Sequence, residues 1–127
     1  MAPPVVELRG RRILVVEDNF LAAEALRDVL VENGCEVVGP VGRLTAAMAL
    51  ASRETLDGAF LDVNLGGEQC FPLADLLRKK GVPFVFLTGY ADESIVPVAL
   101  RKVPLLGKPL NPLDVVAKAL QHFALKE

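Results

Sequence analysis

Short apolar runs rich in β-branched residues alternate along this chain with longer segments whose apolar residues recur at helical spacing, five of each. That alternation leaves few architectures open: a strand, a helix and a second strand form the βαβ unit, and repeated units build a mainly parallel sheet covered by helices. The strands are expected at Arg12 to Val16, Glu36 to Gly39, Asp57 to Leu61, Phe84 to Leu87 and Val103 to Leu106.

Local signals place the helices. The first runs from Asn19 to Glu32, capped by Asp18 or Asn19, with Leu26, Val29 and Leu30 inward and Gly34 past its end. The second spans Thr45 to Arg53. The third spans Phe71 to Lys80, with Pro72 in the first turn and Gly81 as the stop. Between Asp92 and Lys102 a fourth helix contains Pro97, which is costly in a helix interior and so implies a short, late-starting or kinked element. The fifth opens with Asn111-Pro112-Leu113-Asp114 and continues through Val115, Val116, Leu120 and Phe123.

A chain of 127 residues is expected to form one domain and to bury its own core without disulfides. Residues 1–10 are read as a tail leading into the first strand, and residues 11–127 as a single domain, since no Pro-rich or Gly/Ser-rich linker divides them. Hydrophobic residues make up 52% of the sequence, yet no apolar run approaches the ~18 residues that span a bilayer. The start lacks the apolar core of a signal peptide, so a cytoplasmic protein is expected. Cys35 and Cys70 lack zinc-site spacing and read as buried thiols. A net charge of −2 with scattered lysines and arginines offers no footprint for nucleic acid or an anionic membrane, which leaves proteins as the expected partners.

Polar residues stand where the apolar runs stop. Glu17 and Asp18 follow the first strand, Asp62 the third, Thr88 the fourth and Lys108 the fifth. In open parallel sheets the ligand crevice lies beyond the strands' carboxyl ends, so four strands aim chemistry at one edge. Carboxylates gathered there repel one another unless a cation sits between them, and hard oxygen ligands suit Mg²⁺. Mg²⁺, the Lys108 ammonium and the Thr88 hydroxyl would together hold the oxygens of a phosphoryl group during in-line transfer. One carboxylate remains as nucleophile, and Asp62 on the central strand is the candidate. Each residue alone has an ordinary reading: helix N-terminal charge for Glu17-Asp18, a turn for Asp62, a strand end for Thr88 and a solvated surface for Lys108. Their joint occurrence in order argues for a phosphoryl site. His122, on the last helix, reads as a surface residue.

The set Glu17-Asp18, Asp62-Val63-Asn64, Thr88-Gly89 and Lys108-Pro109 resembles that of response-regulator receiver domains, over residues 11 to 123. The resemblance implies a flavodoxin-like (βα)5 three-layer α/β sandwich with a parallel five-stranded sheet in the order 2-1-3-4-5. It implies that Asp62 is the phosphoacceptor, that Asp18, Asp62 and the backbone carbonyl of Asn64 ligate Mg²⁺, and that Glu17 acts largely through water. A cis peptide between Lys108 and Pro109 is also implied. The segment Pro83-Phe84-Val85-Phe86-Leu87-Thr88-Gly89-Tyr90 is similar to the signature of the FAT GUY subfamily, with Leu87 in place of its usual alanine. Leu105 occupies the position of the switch aromatic of ordinary receivers, which leaves Tyr90 as a gating candidate. The Gly66-Gly67 turn lacks the proline often found there.

These features imply a stand-alone phosphorelay switch, charged by a histidine kinase, of HWE type by the subfamily resemblance, or by a phosphotransfer protein, and read by a downstream protein. It is expected to be a monomer or weak homodimer and not a metabolic enzyme. Two rivals remain open: a degenerate receiver that binds partners without phosphorylation, and a small flavin carrier of the same fold, although no phosphate-cradling loop follows the first strand.

Overall fold

The computed structural model describes residues 6–89 and 95–125. Its strands and helices run β1 (Arg12–Val16), α1 (Phe20–Glu32), β2 (Glu36–Val41), α2 (Leu44–Arg53), β3 (Gly58–Asp62), β4 (Asn64–Leu65), β5 (Glu68–Gln69), α3 (Phe71–Lys79), β6 (Phe84–Thr88), β7 (Leu105–Gly107) and α4 (Pro112–His122). Five strands form one parallel sheet in the order β2-β1-β3-β6-β7. With the small antiparallel hairpin β4-β5 set aside, this is the expected 2-1-3-4-5 order of the flavodoxin-like fold.

The two-residue period of a strand explains the three layers. Leu14, Val16, Leu61 and Phe86 turn to one face, where Ala47 and Ala51 of α2 and Leu73 and Leu77 of α3 cover them. Ile13, Val15, Phe60 and Val85 turn to the other, under Leu26 and Leu30 of α1 and Val115 and Ala119 of α4. Every residue of β3 and β6 is buried, as a sheet covered on both faces requires. Full burial of each large apolar side chain contributes about 1.5–3 kcal/mol.

The caps act as their sequences suggest. The Asn19 side chain accepts a hydrogen bond from Ala22 N at 2.9 Å, and that of Asn111 accepts one from Leu113 N at 2.8 Å. Cys35 and Cys70 are free and buried, and burial pushes their thiols up to about 11 and about 12. Among the described residues no helix is long and apolar enough to cross a membrane.

Several expectations are corrected. No α-helix forms between residues 95 and 102: Pro97 is extended at ψ 148°, and only a 3-10 turn, Val98–Leu100, follows it. The earlier part of that expected helix, Asp92 to Ser94, lies outside the described residues. β2 continues to Val41, β3 takes in Asp62, and β7 begins at Leu105 rather than Val103. Leu120 lies partly outside, while Val115, Ala119 and Phe123 form the buried stripe of α4 and its end. Part of the segment read as a tail belongs to the core. Val6–Leu8 forms a 3-10 turn, Leu8 is fully buried with Phe60 and Phe123, and Glu7 O accepts from Leu125 N at 2.9 Å.

Phe123 closes the end of this core. Its ring meets Phe60 edge-on at 5.3 Å and lies where a side chain on Gly58 would be, since a Cβ built there falls 2.4 Å from ring carbons. The Gly58→Ala variant is therefore expected to lose ~1–3 kcal/mol of stability by overpacking, read as a lower urea midpoint. The same change should cost markedly less in a Phe123→Leu background; an equal cost in both would show that the ring is not the obstacle.

Candidate functional site

Sheet register brings the strand ends level. Asp62 is paired with Leu87, Leu61 with Val16, and Thr88 with Gly107, so the residues that follow share one edge. Main-chain bonds continue the alignment past the strands: Glu17 N donates to Val41 O at 3.0 Å, Val63 N to Leu87 O at 3.0 Å and Lys108 N to Thr88 O at 2.8 Å. Glu17, Asp62 and Thr88 are the only buried polar or charged residues among those described, and all three stand at this edge. Buried polar groups are costly, so their concentration here makes this edge the candidate site.

Lys108 ties the cluster together. Its Nζ donates to Asp62 Oδ2 at 2.8 Å and lies 2.8 Å from Glu17 Oε1. Glu17 Oε2 accepts from Asn19 N at 3.1 Å, and Asp62 Oδ1 accepts from Asn64 N at 3.2 Å. Glu17 Oε1, despite the nearby ammonium, makes no hydrogen bond of ordinary geometry. The exposed Asp18 completes a trio whose carboxylate oxygens all lie within 4.8 Å of one another.

One ammonium cannot neutralise this much negative charge. Burial raises the Asp62 carboxyl, and the Glu17 carboxylate beside it raises it further, to about 7, against the pull of Lys108. Burial also works to raise Glu17, but its neighbours Asp62 and Lys108 outweigh it and hold that carboxyl below the usual range. Lys108 is held above its ordinary value, because the two carboxylates outweigh its own desolvation. The two carboxylates therefore titrate as a coupled pair, with Asp62 pushed up and Glu17 held down.

These residues fit a hard divalent cation. Three converging carboxylates, one buried oxygen without a hydrogen bond and an accessible Asp18 are a donor set of hard oxygens with room for water ligands.

The other expected site residues are placed as follows. Thr88 is buried at the edge, its Oγ1 3.5 Å from Leu106 O, and Gly89 follows it. The Asn64 side chain turns away to accept from Gly67 N at 2.9 Å, closing the β4-β5 hairpin, while its backbone stays beside Asp62. The Lys108-Pro109 peptide is cis, as the resemblance implies. Pro109 lines an apolar cavity of about 230 Å³ between α1 and α4, which Glu17 and Lys108 also border. Leu105 packs against the core layer of α2 and α3 rather than joining the acids. Tyr90 lies outside the described residues. Sequence reasoning missed the support beneath the acids, where Val41 and Gly42 meet Glu17 and Asp18; the available signal was the closely spaced glycines 39 and 42 around Pro40.

Comparison with known proteins agrees with this geometry. The family model of the response regulator receiver domain matches residues 13–119. The phyllosphere-induced regulator PhyR of Methylorubrum extorquens is 31% identical over 118 residues, covering 91% of this chain and 44% of that protein. The solution structure of SdrG from Sphingomonas melonis Fr1 superposes with a TM-score of 0.76 at 41% identity, covering 90% of this chain and 96% of that one. The crystal structure of PhyR from Brucella abortus gives a TM-score of 0.78 at 26% identity, over 92% of this chain and 49% of that one. This chain spans about half the length of the first curated relatives it matches. With five parallel strands in receiver order, an acidic trio and a lysine at their carboxyl edge, and a family match over most of its length, the chain belongs to the response regulator receiver domain family.

Proposed function

We propose that the chain is a phosphorelay switch in which Asp62 accepts a phosphoryl group from the phosphohistidine of a histidine kinase or phosphotransfer protein. The observation that carries this reading is the state of Asp62: a buried carboxylate at the end of the central strand, hydrogen-bonded to Lys108 at 2.8 Å and grouped with two further acids.

In its ionised form Asp62 attacks phosphorus in line. The new Asp62 O–P bond forms as the N–P bond to the donor imidazole breaks, and that nitrogen keeps the electron pair and takes up a proton. Lys108 turns its ammonium from Asp62 to an oxygen of the transferred group, and the Thr88 hydroxyl donates to a second oxygen. Asp18 and Asp62, with the backbone carbonyl of Asn64, would hold Mg²⁺, and Glu17 would reach it through water. When bound, Mg²⁺ supplies positive charge that screens the carboxylates from the incoming phosphoryl group. Water later hydrolyses the aspartyl phosphate and resets the switch.

A charge change of this size at Asp62 and Lys108 alters which neighbouring conformation is favoured, and a protein partner that binds one form better reads it. Tyr90, two residues past Thr88 in sequence, is the proposed gating residue. A kinase of HWE type and a cytoplasmic setting complete the reading.

Incubation with acetyl phosphate and Mg²⁺ is expected to add one phosphoryl group to the intact mass, and the adduct should be lost without Mg²⁺ and in Asp62→Asn. If no adduct forms even with a kinase of the expected class, the degenerate binding module is the better reading.

A further inference from the structure

Asp18 is the least supported member of the acidic trio. It is exposed, and its side chain makes no hydrogen bond or ion pair among the described residues. Its backbone, not its side chain, must therefore fix where its carboxylate stands. That backbone rests on the end of β2.

The register of β2 explains how. Leu14 is paired with Val38, but Val16 is paired with Val41, so two steps on β1 are matched by three on β2. The extra residue is a bulge at Gly39 and Pro40, and bulges re-aim the residues beyond them. Gly39 sits at φ +90°, with space for no side chain: a Cβ there would fall 3.0 Å from Val41 N and 3.1 Å from Val15 O. Beyond the bulge, Val41 O accepts from Glu17 N at 3.0 Å, and Gly42 lies flush against Asp18. A Cβ on Gly42 would fall 3.1 Å from Asp18 Cα, 3.4 Å from Glu17 O and 3.6 Å from Asp18 Cβ. The first two of these neighbours are backbone atoms, so they can yield only by moving the acid itself.

We propose that Gly42, delivered by the β2 bulge, is a positioning residue that sets the place of the Asp18 carboxylate and with it the site's preference for a small divalent cation. The inference rests on the cation-binding reading given above. Mg²⁺ demands near-ideal octahedral geometry at about 2.0–2.1 Å, whereas Ca²⁺ accepts irregular geometry at about 2.3–2.6 Å. A shift of a few tenths of an ångström at one ligand therefore penalises the smaller ion more. Gly42 does not occupy the left-handed region, so alanine there introduces contact with Asp18 rather than a forbidden backbone.

The test is calorimetric titration of the full chain with MgCl₂ and with CaCl₂, for wild type, Gly42→Ala, Gly107→Ala and Asp18→Asn. A Cβ on Gly107 meets nothing within 4 Å, which makes it the matched control. Gly42→Ala is expected to weaken Mg²⁺ binding by about tenfold, the lower end for residues that orient a metal ligand. Its Ca²⁺ affinity should change less than about threefold, given the tolerance of that ion. The urea midpoint of metal-free Gly42→Ala should match wild type, and Gly107→Ala should behave as wild type throughout. Unchanged Mg²⁺ affinity in Gly42→Ala overturns the proposal. Equal losses for both ions with a lower urea midpoint also overturn it, leaving Gly42 a general packing residue. Wild-type protein that binds no more Mg²⁺ than Asp18→Asn overturns the cation-binding reading itself, and the positioning role with it.

Discussion

The Lys108 ammonium, 2.8 Å from both Glu17 and Asp62, is the interaction around which the functional edge of this molecule is arranged. Two carboxylates that close would repel strongly in a buried setting, and one lysine only partly offsets that repulsion. The remainder, with burial, pushes the Asp62 carboxyl up to about 7. A site left short of positive charge attracts a cation. Stability and function pull in opposite directions here, as they do where an active centre is built from groups that prefer water.

The rest of the fold holds this arrangement in place. Four of the five strands contribute one or two residues at the carboxyl end, and their spacing is set by parallel pairing along the sheet. β3 and β6 are buried along their whole length, so Asp62 and Thr88 stand on the most fully packed part of the scaffold. The edges contribute differently. β2 adds a bulge that supports Glu17 and Asp18 from below, and β7 is only three residues long before it hands over to Lys108.

Much of this is legible in the residues themselves. β-Branched runs separated by helical periods carry the sheet, because the central strands β3 and β6 are buried along their whole length and read as largely apolar. Asn19 and Asn111 mark their helix starts by side-chain bonds to the backbone, a purely local effect. Glu17, Asp18, Asp62, Thr88 and Lys108 are visible because each follows an apolar run. Long-range geometry is what stays hidden. The bulge at Gly39 and Pro40 depends on pairing with β1, the burial of Leu8 depends on Phe60 and Phe123 arriving from distant segments, and the absence of an α-helix over the described residues 95–102 follows from the extended backbone at Pro97. The raised carboxyl of Asp62 is equally invisible in sequence, since it arises from burial and from two carboxylates meeting across separate strands.

The charge balance at Asp62 is best tested by following its carboxyl carbon by NMR through a pH titration of the metal-free protein, then repeating the titration with saturating Mg²⁺. The account predicts a midpoint of about 7 without the cation. It predicts a fall to the ordinary carboxylate range or below with Mg²⁺ bound, because a nearby cation favours the ionised form. An Asp62 that titrates near 4 without Mg²⁺, or that ignores Mg²⁺ altogether, would contradict it.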